Sequence, residues 1–208
     1  MTSDLAKADS EDILEFLYDI NEDVLFKFLA QQGDDFLESL LQSGTMPDIE
    51  ELVGHEYDGW STLPVTKHLK MQKFRKGFLK LDEDFYVGYN SRMVTNDINE
   101  GWIYQLDKDG KAKRWRIFDV MPANTNPENN LYPNSLLFDY RTGRNLPILE
   151  ETVRDFVVEV RPGDPTVLLG KMYNKFGKRF VFPNYFILKR AERISSELEK
   201  RLRSQYFW

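Results

Sequence analysis

The side chains best suited to chemistry fall in three short stretches of the chain. In Leu168-Leu169-Gly170-Lys171-Met172-Tyr173, side chains alternate across a strand, so Lys171 and Tyr173 share one face and Gly170 and Met172 the other. Pointed inward, an amine and a phenol two residues apart would fix the polar end of an otherwise apolar ligand. Pointed outward, they would meet solvent. Between Lys113 and Val120, Arg114 and Arg116 share a face with Phe118, while Trp115 and Ile117 take the other. An inward arginine can hold a carboxylate through two parallel hydrogen bonds. The third stretch is Leu136-Leu137-Phe138-Asp139-Tyr140-Arg141, where Arg141 follows an aromatic strand. The candidate ligand-binding set is therefore Lys171, Tyr173, Arg116, Arg141, Trp115 and Tyr140.

No catalytic set stands out beside it. There is no cysteine, which removes thiolate nucleophiles, disulfides and cysteine-containing zinc sites together. His55 and His68 are the only histidines, and neither has further residues at metal-ligand spacing. Asp107-Lys108-Asp109-Gly110 has the acids of a calcium loop. It lacks the glycine at loop position six, where Ala112 stands, and the glutamate at twelve, where Phe118 stands, so it reads as a turn. Gly-x-Ser-x-Gly and phosphate-loop patterns are absent. No metal and no cofactor is expected.

The elements that must position these residues change rhythm at Gly59-Trp60. Before it, apolar residues recur at helical spacing: Ile13, Leu17, Ile20, Val24 and Phe28 form one stripe. Ser10 or Asp9 can cap the first helix, Asn21 can restart it, and Gly33 is a natural stop. Asp34 caps a further helix ended by Gly44, and Pro47-Asp48 opens a short turn through Leu52. After Trp60, alternation and turn signals predict about eight strands. Among them are Phe74 to Lys80, Phe85 to Tyr89, Trp102 to Leu106, Lys113 to Val120, Leu136 to Tyr140, Phe156 to Val160, Thr166 to Tyr173 and Phe180 to Lys189. Pro183 marks an edge or a bulge in the last of these. A final helix from about Ala191 carries Ile194, Leu198 and Leu202 and ends in Tyr206-Phe207-Trp208. The short connections disfavour a parallel sheet and favour an antiparallel up-and-down β-barrel. Three segments are expected: N-terminal helices over 1–53, a barrel over 54–190, and a C-terminal helix over 191–208. Several strands are apolar on both faces, as strands covered by helices would be.

Gly54-His55-Glu56-Tyr57-Asp58-Gly59-Trp60 is similar to the Gly-x-Trp entry motif of lipocalins and other calycins. Together with Leu136 to Arg141, Leu168 to Tyr173 and Pro183-Asn184-Tyr185-Phe186, the chain resembles a group of bacterial lipocalin-like proteins from about Gly54 to Arg190. The resemblance implies a calycin barrel and a small apolar ligand. It also implies that a late arginine, here Arg190, packs over the entry tryptophan.

With a net charge of −6, a nucleic-acid partner is not expected. No apolar run approaches the roughly 20 residues of a membrane span, and the N-terminus does not look like a secretion signal, so a cytoplasmic protein is expected. The function expected is binding of a small hydrophobic molecule inside the barrel, as carrier or sensor. The alternative is a cofactor-independent cyclase or isomerase of a hydrophobic substrate, in which positioning does much of the work and leaves no motif. A protein-interaction role for the aromatic C-terminus is a third reading.

Overall fold

A computed structural model describes residues 10–142, 145 and 149–206. The alternative cap Asp9 and the terminal Phe207-Trp208 lie outside the described residues. Four helices come first: α1 (Ser10–Asp19), α2 (Glu22–Leu29), α3 (Asp34–Ser43) and α4 (Ile49–Leu52). The Asn21 side chain accepts from the Val24 N–H at 3.0 Å and starts α2. Helix α2 stops at Leu29, ahead of the expected Gly33. Gly33 instead holds the extended N-cap position of α3, and Asp34 is the first helical residue rather than the cap. Gly44 ends α3, donating to the Leu40 carbonyl at 2.8 Å.

Eight strands follow: β1 (His55–Ser61), β2 (Lys73–Asp82), β3 (Phe85–Arg92), β4 (Arg114–Pro122), β5 (Leu136–Asp139), β6 (Val153–Arg161), β7 (Asp164–Phe176) and β8 (Arg179–Arg193). A short helix α5 (Val65–His68) lies between β1 and β2. Every pairing is antiparallel between sequence neighbours, and β8 pairs with β1 to close the barrel. Closure leaves no unpaired edge. Gly59-Trp60 therefore lies near the end of the first strand and does not begin it. Pro183 sits at a bulge, where the β7–β8 register shifts between Met172 and Asn174 and Phe182 has φ 55°.

Trp102 to Leu106 is not a strand. The β3–β4 connection leaves the barrel and makes only the single bridges Met93↔Tyr104 and Leu106↔Ala112. Trp102 and Tyr104 fold back on the outer wall, with Lys73 Nζ 3.9 Å from the Trp102 ring centroid and the Tyr104 hydroxyl on Glu56. The Asp107–Gly110 turn forms as expected, Asp107 Oδ1 accepting from the N–H groups of Asp109 and Lys111 at 2.9 Å.

Helices α1, α2 and α3 cover the outer faces of β6, β7 and β8. Leu17, Leu25, Leu29 and Leu37 meet Val158, Leu169 and Ile187 there, all fully or almost fully buried. Each such leucine contributes about 1.5–3 kcal/mol. Strand β6 is buried along its whole length, which is the two-sided apolar character its sequence carries. Helix α6 (Ser196–Tyr206) seats Leu202 against Leu79, Val87 and Ile117. It starts later than Ala191 because β8 keeps pairing with β1 as far as His55↔Arg193. No helix among the described residues is long and apolar enough to cross a membrane.

Candidate functional site

The interior of the barrel is filled at one end by aromatic rings and open at the other. Tyr57, Phe78, Phe118 and Phe138 pack together, Phe118 stacking on Phe138 with centroids 4.8 Å apart. Above them lies a cavity of about 100 Å³. Phe74, Phe186, Met172, Val153 and Trp115 wall it, and Ser61, Thr66 and Asn184 stand among its polar lining. Two wall rings depend on glycines. A Cβ on Gly59 would come within 2.3 Å of the Phe74 ring, and one on Gly170 within 2.1 Å of Phe186, so these strand positions leave room for the rings to lie flat on the backbone.

The cavity floor is polar. Lys76 enters from β2 between Phe74 and Phe78, and its Nζ donates to Tyr140 Oη at 2.6 Å, Asp155 Oδ2 at 3.0 Å and Asn90 Oδ1 at 3.1 Å. Tyr140 donates to the same Asp155 oxygen at 2.9 Å. Asn90 Nδ2 donates to the Arg116 carbonyl at 3.1 Å. The rings of Phe118 and Phe186 flank the ammonium at 4.7 and 5.3 Å. Lys76 and Asp155 are both buried, so the pair is held by these bonds in place of water. Burial pulls the Lys76 pKa down, against the pull of the Asp155 charge. Burial and Asp155 together push the Tyr140 hydroxyl far up.

Three of the six expected residues meet here: Tyr140, Arg116 and Trp115. Trp115 and Arg116 do so despite being assigned opposite faces, because Arg116 adopts φ 53° in a β4 bulge where the register shifts between Gly88 and Asn90. Arg116 Nε donates to Glu150 Oε1 at 3.0 Å. Arg141 is not in the cavity. It turns back on the outward Asp139, with Nη2 2.7 Å from Oδ2.

Lys171 and Tyr173 are also elsewhere. The inward residues of β7 are Leu168, Gly170 and Met172, so Lys171 and Tyr173 face outward, Lys171 toward α3 and Tyr173 toward Phe156, Phe180 and Tyr132. Lys171 Nζ donates to Glu38 of α3 at 2.6 Å, Tyr185 joins the same oxygen at 2.5 Å, and Tyr132 donates to the other at 2.9 Å. Tyr173 reaches this group through Tyr132, with the hydroxyls 3.0 Å apart. Burial pushes the Glu38 pKa up, but hydrogen bonds from Lys171, Tyr185, Gln42 and Tyr132 outweigh it and bring it from 4.5 to about 2. Between those values the unfolded chain binds the proton and the folded one does not. The contribution of Glu38 to stability is therefore present above pH 4.5 and lost as pH falls toward about 2. Thermal unfolding followed against pH is expected to fall less steeply in this window for Glu38→Gln than for the parent.

Trp60 does not plug the barrel floor. It faces the helical jacket, and Tyr57 takes the interior place at the closed end. Arg190 packs over Tyr57 instead, its Nε donating to the hydroxyl at 3.1 Å. Arg114 lies outside near Glu56, at 3.8 Å. Among the described residues no group of three or more His, Asp or Glu is arranged to hold a metal ion.

No protein-family model matches the chain, and no curated protein matches it. Among solved structures, apocrustacyanin C2 is similar at 15% identity and a TM-score of 0.38, over 81% of this chain and 76% of that one. The siderocalin Ex-FABP is similar at 11% identity and a TM-score of 0.34, over 75% and 84%. These are likenesses in outline. What decides the fold is the topology: eight antiparallel strands in sequence order, closed on themselves. The barrel is lipocalin-like. Lys76, Asn90 and Asp155, central to its cavity, are absent from the expected set. Their signal was a polar residue between two apolar ones on the same strand face, as in Phe74, Lys76, Phe78 and in Val153, Asp155, Val157.

Proposed function

We propose that the lipocalin-like barrel binds a small, mostly apolar molecule at its open end, as a carrier or sensor. The observation that carries this reading is the cavity above Lys76, apolar on its walls and polar at its floor. Such a lining is typical of small-molecule sites. Its volume of about 100 Å³ is well below the roughly 300–1,000 Å³ of drug-sized pockets, so the molecule is about one ring in size, with any remainder projecting from the mouth. The floor network suits recognition better than proton transfer. All three Lys76 protons are engaged, and the Tyr140 hydroxyl stays protonated far above neutral pH.

Native mass spectrometry of the purified protein is expected to show a mass increment from a retained small molecule. It is also expected that Val153→Phe, which fills the cavity, abolishes that increment while circular dichroism remains that of the parent. An increment that persists unchanged in Val153→Phe places the molecule elsewhere and removes the reading.

A further inference from the structure

Building on that reading, we infer that the ligand carries a hydrogen-bond donor, a hydroxyl or N–H, on its ring-sized apolar body, and that Asp155 Oδ1 accepts it. The floor network is complete except at this one oxygen. Lys76 and Tyr140 both donate to Oδ2, and Oδ1 is buried with no partner. Most other polar groups of the lining have protein partners, Arg116 Nε among them through Glu150. Ser61 and Asn184 exchange hydrogen bonds at 3.2 and 3.0 Å, Thr66 donates to the Leu63 carbonyl at 2.5 Å, and the Asn90 amide donates to the Arg116 carbonyl and to Tyr140. Among the described lining residues the other orphaned polar atom is Trp115 Nε1, which is itself a donor and does not reach Asp155.

An ionised carboxylate can accept bonds on both oxygens, and a buried one left half-satisfied is costly. A single water supplies the donor only if it finds other partners. A retained water needs two to four polar partners. Beside Asp155 the cavity is walled by Met172, its register partner on β7, and by Val153 of the same strand. A hydroxyl borne on an apolar ring makes the same bond while the ring covers those walls. Discrimination follows from the donor, since a molecule lacking one would leave Oδ1 as orphaned as before.

The test uses the intact protein with phenol, anisole and benzene, titrated by NMR on the methyls of Val153 and Met172. Anisole keeps the oxygen and loses the donor; benzene lacks both. Phenol is expected to bind about tenfold to a hundredfold more tightly than either, the range of a hydrogen bond to a charged acceptor. In Asp155→Asn, with its fold checked by circular dichroism, this advantage is expected to shrink to a few-fold. Equal affinity for all three overturns the donor assignment and leaves the ligand cavity standing. An undiminished phenol advantage in Asp155→Asn also overturns it. Failure of all three to shift either methyl overturns the cavity reading itself.

Discussion

Asp155→Ala is expected to cost about 3–5 kcal/mol, read as a fall in the urea midpoint with an unchanged slope. The reason is Lys76. Its Nζ lies 3.0 Å from Asp155 Oδ2, both side chains are 3% exposed, and the rings of Phe118 and Phe186 flank the ammonium. Without the carboxylate, an ammonium remains in the middle of the barrel with two neutral acceptors. Lys76→Met leaves the converse, a buried carboxylate held by one phenol, and is expected to cost a similar amount. The double variant Lys76→Met with Asp155→Leu is expected to recover most of the loss, because apolar residues of like volume replace buried ion pairs at little or no cost. The cycle of four proteins then gives a coupling energy of several kcal/mol. A change below 1 kcal/mol for Asp155→Ala would mean that Lys76 is neutral in the folded protein.

Phe118→Ala is expected to be of the same size, about 3–5 kcal/mol, but to have a different functional result. Phe118 is fully buried, stacks on Phe138 and lies 4.7 Å beneath Lys76 Nζ. Truncation removes the ring of the aromatic plug that lies directly beneath the cavity floor. The space so opened joins the existing cavity and should admit a larger apolar guest. Naphthalene, two rings with no donor, is therefore expected to raise the thermal midpoint of Phe118→Ala in proportion to the logarithm of its concentration, and to leave the parent nearly unaffected. The two substitutions separate the charge of the site from its capacity.

The barrel and its jacket were legible in the sequence for physical reasons. Strands β6 and β7 carry apolar residues on both faces, and only a second layer can cover both. Asn21, Gly44 and Pro183 are residues whose backbone chemistry fixes a start, a stop and a bulge. The face presented by β7 was not legible, because a register change of one residue exchanges Lys171 and Tyr173 for Gly170 and Met172. The choice is made by the fit of Phe186 against Gly170 across the β7–β8 seam, a long-range contact. The bulge at Arg116 was equally hidden, since an arginine with positive φ has no local signature. Lys76 and Asp155 were readable in principle, as polar interruptions of an apolar face, but their pairing joins β2 to β6 and only closure brings them together.

That closure also sets the order in which the chain can acquire structure. Seven of the eight seams join neighbouring strands, whereas the last aligns His55 with Arg193 and Ser61 with Phe186. The leucines of α2 and α3 have their partners on β6, β7 and β8. On a ribosome adding about 5–20 residues per second, the N-terminal helices therefore wait several seconds with their apolar stripes uncovered. Contacts of this sequence separation make for slow folding. The early helices and the late strands form one kinetic unit, and the interval before β8 arrives is when the nascent chain is most open to aggregation and to chaperones.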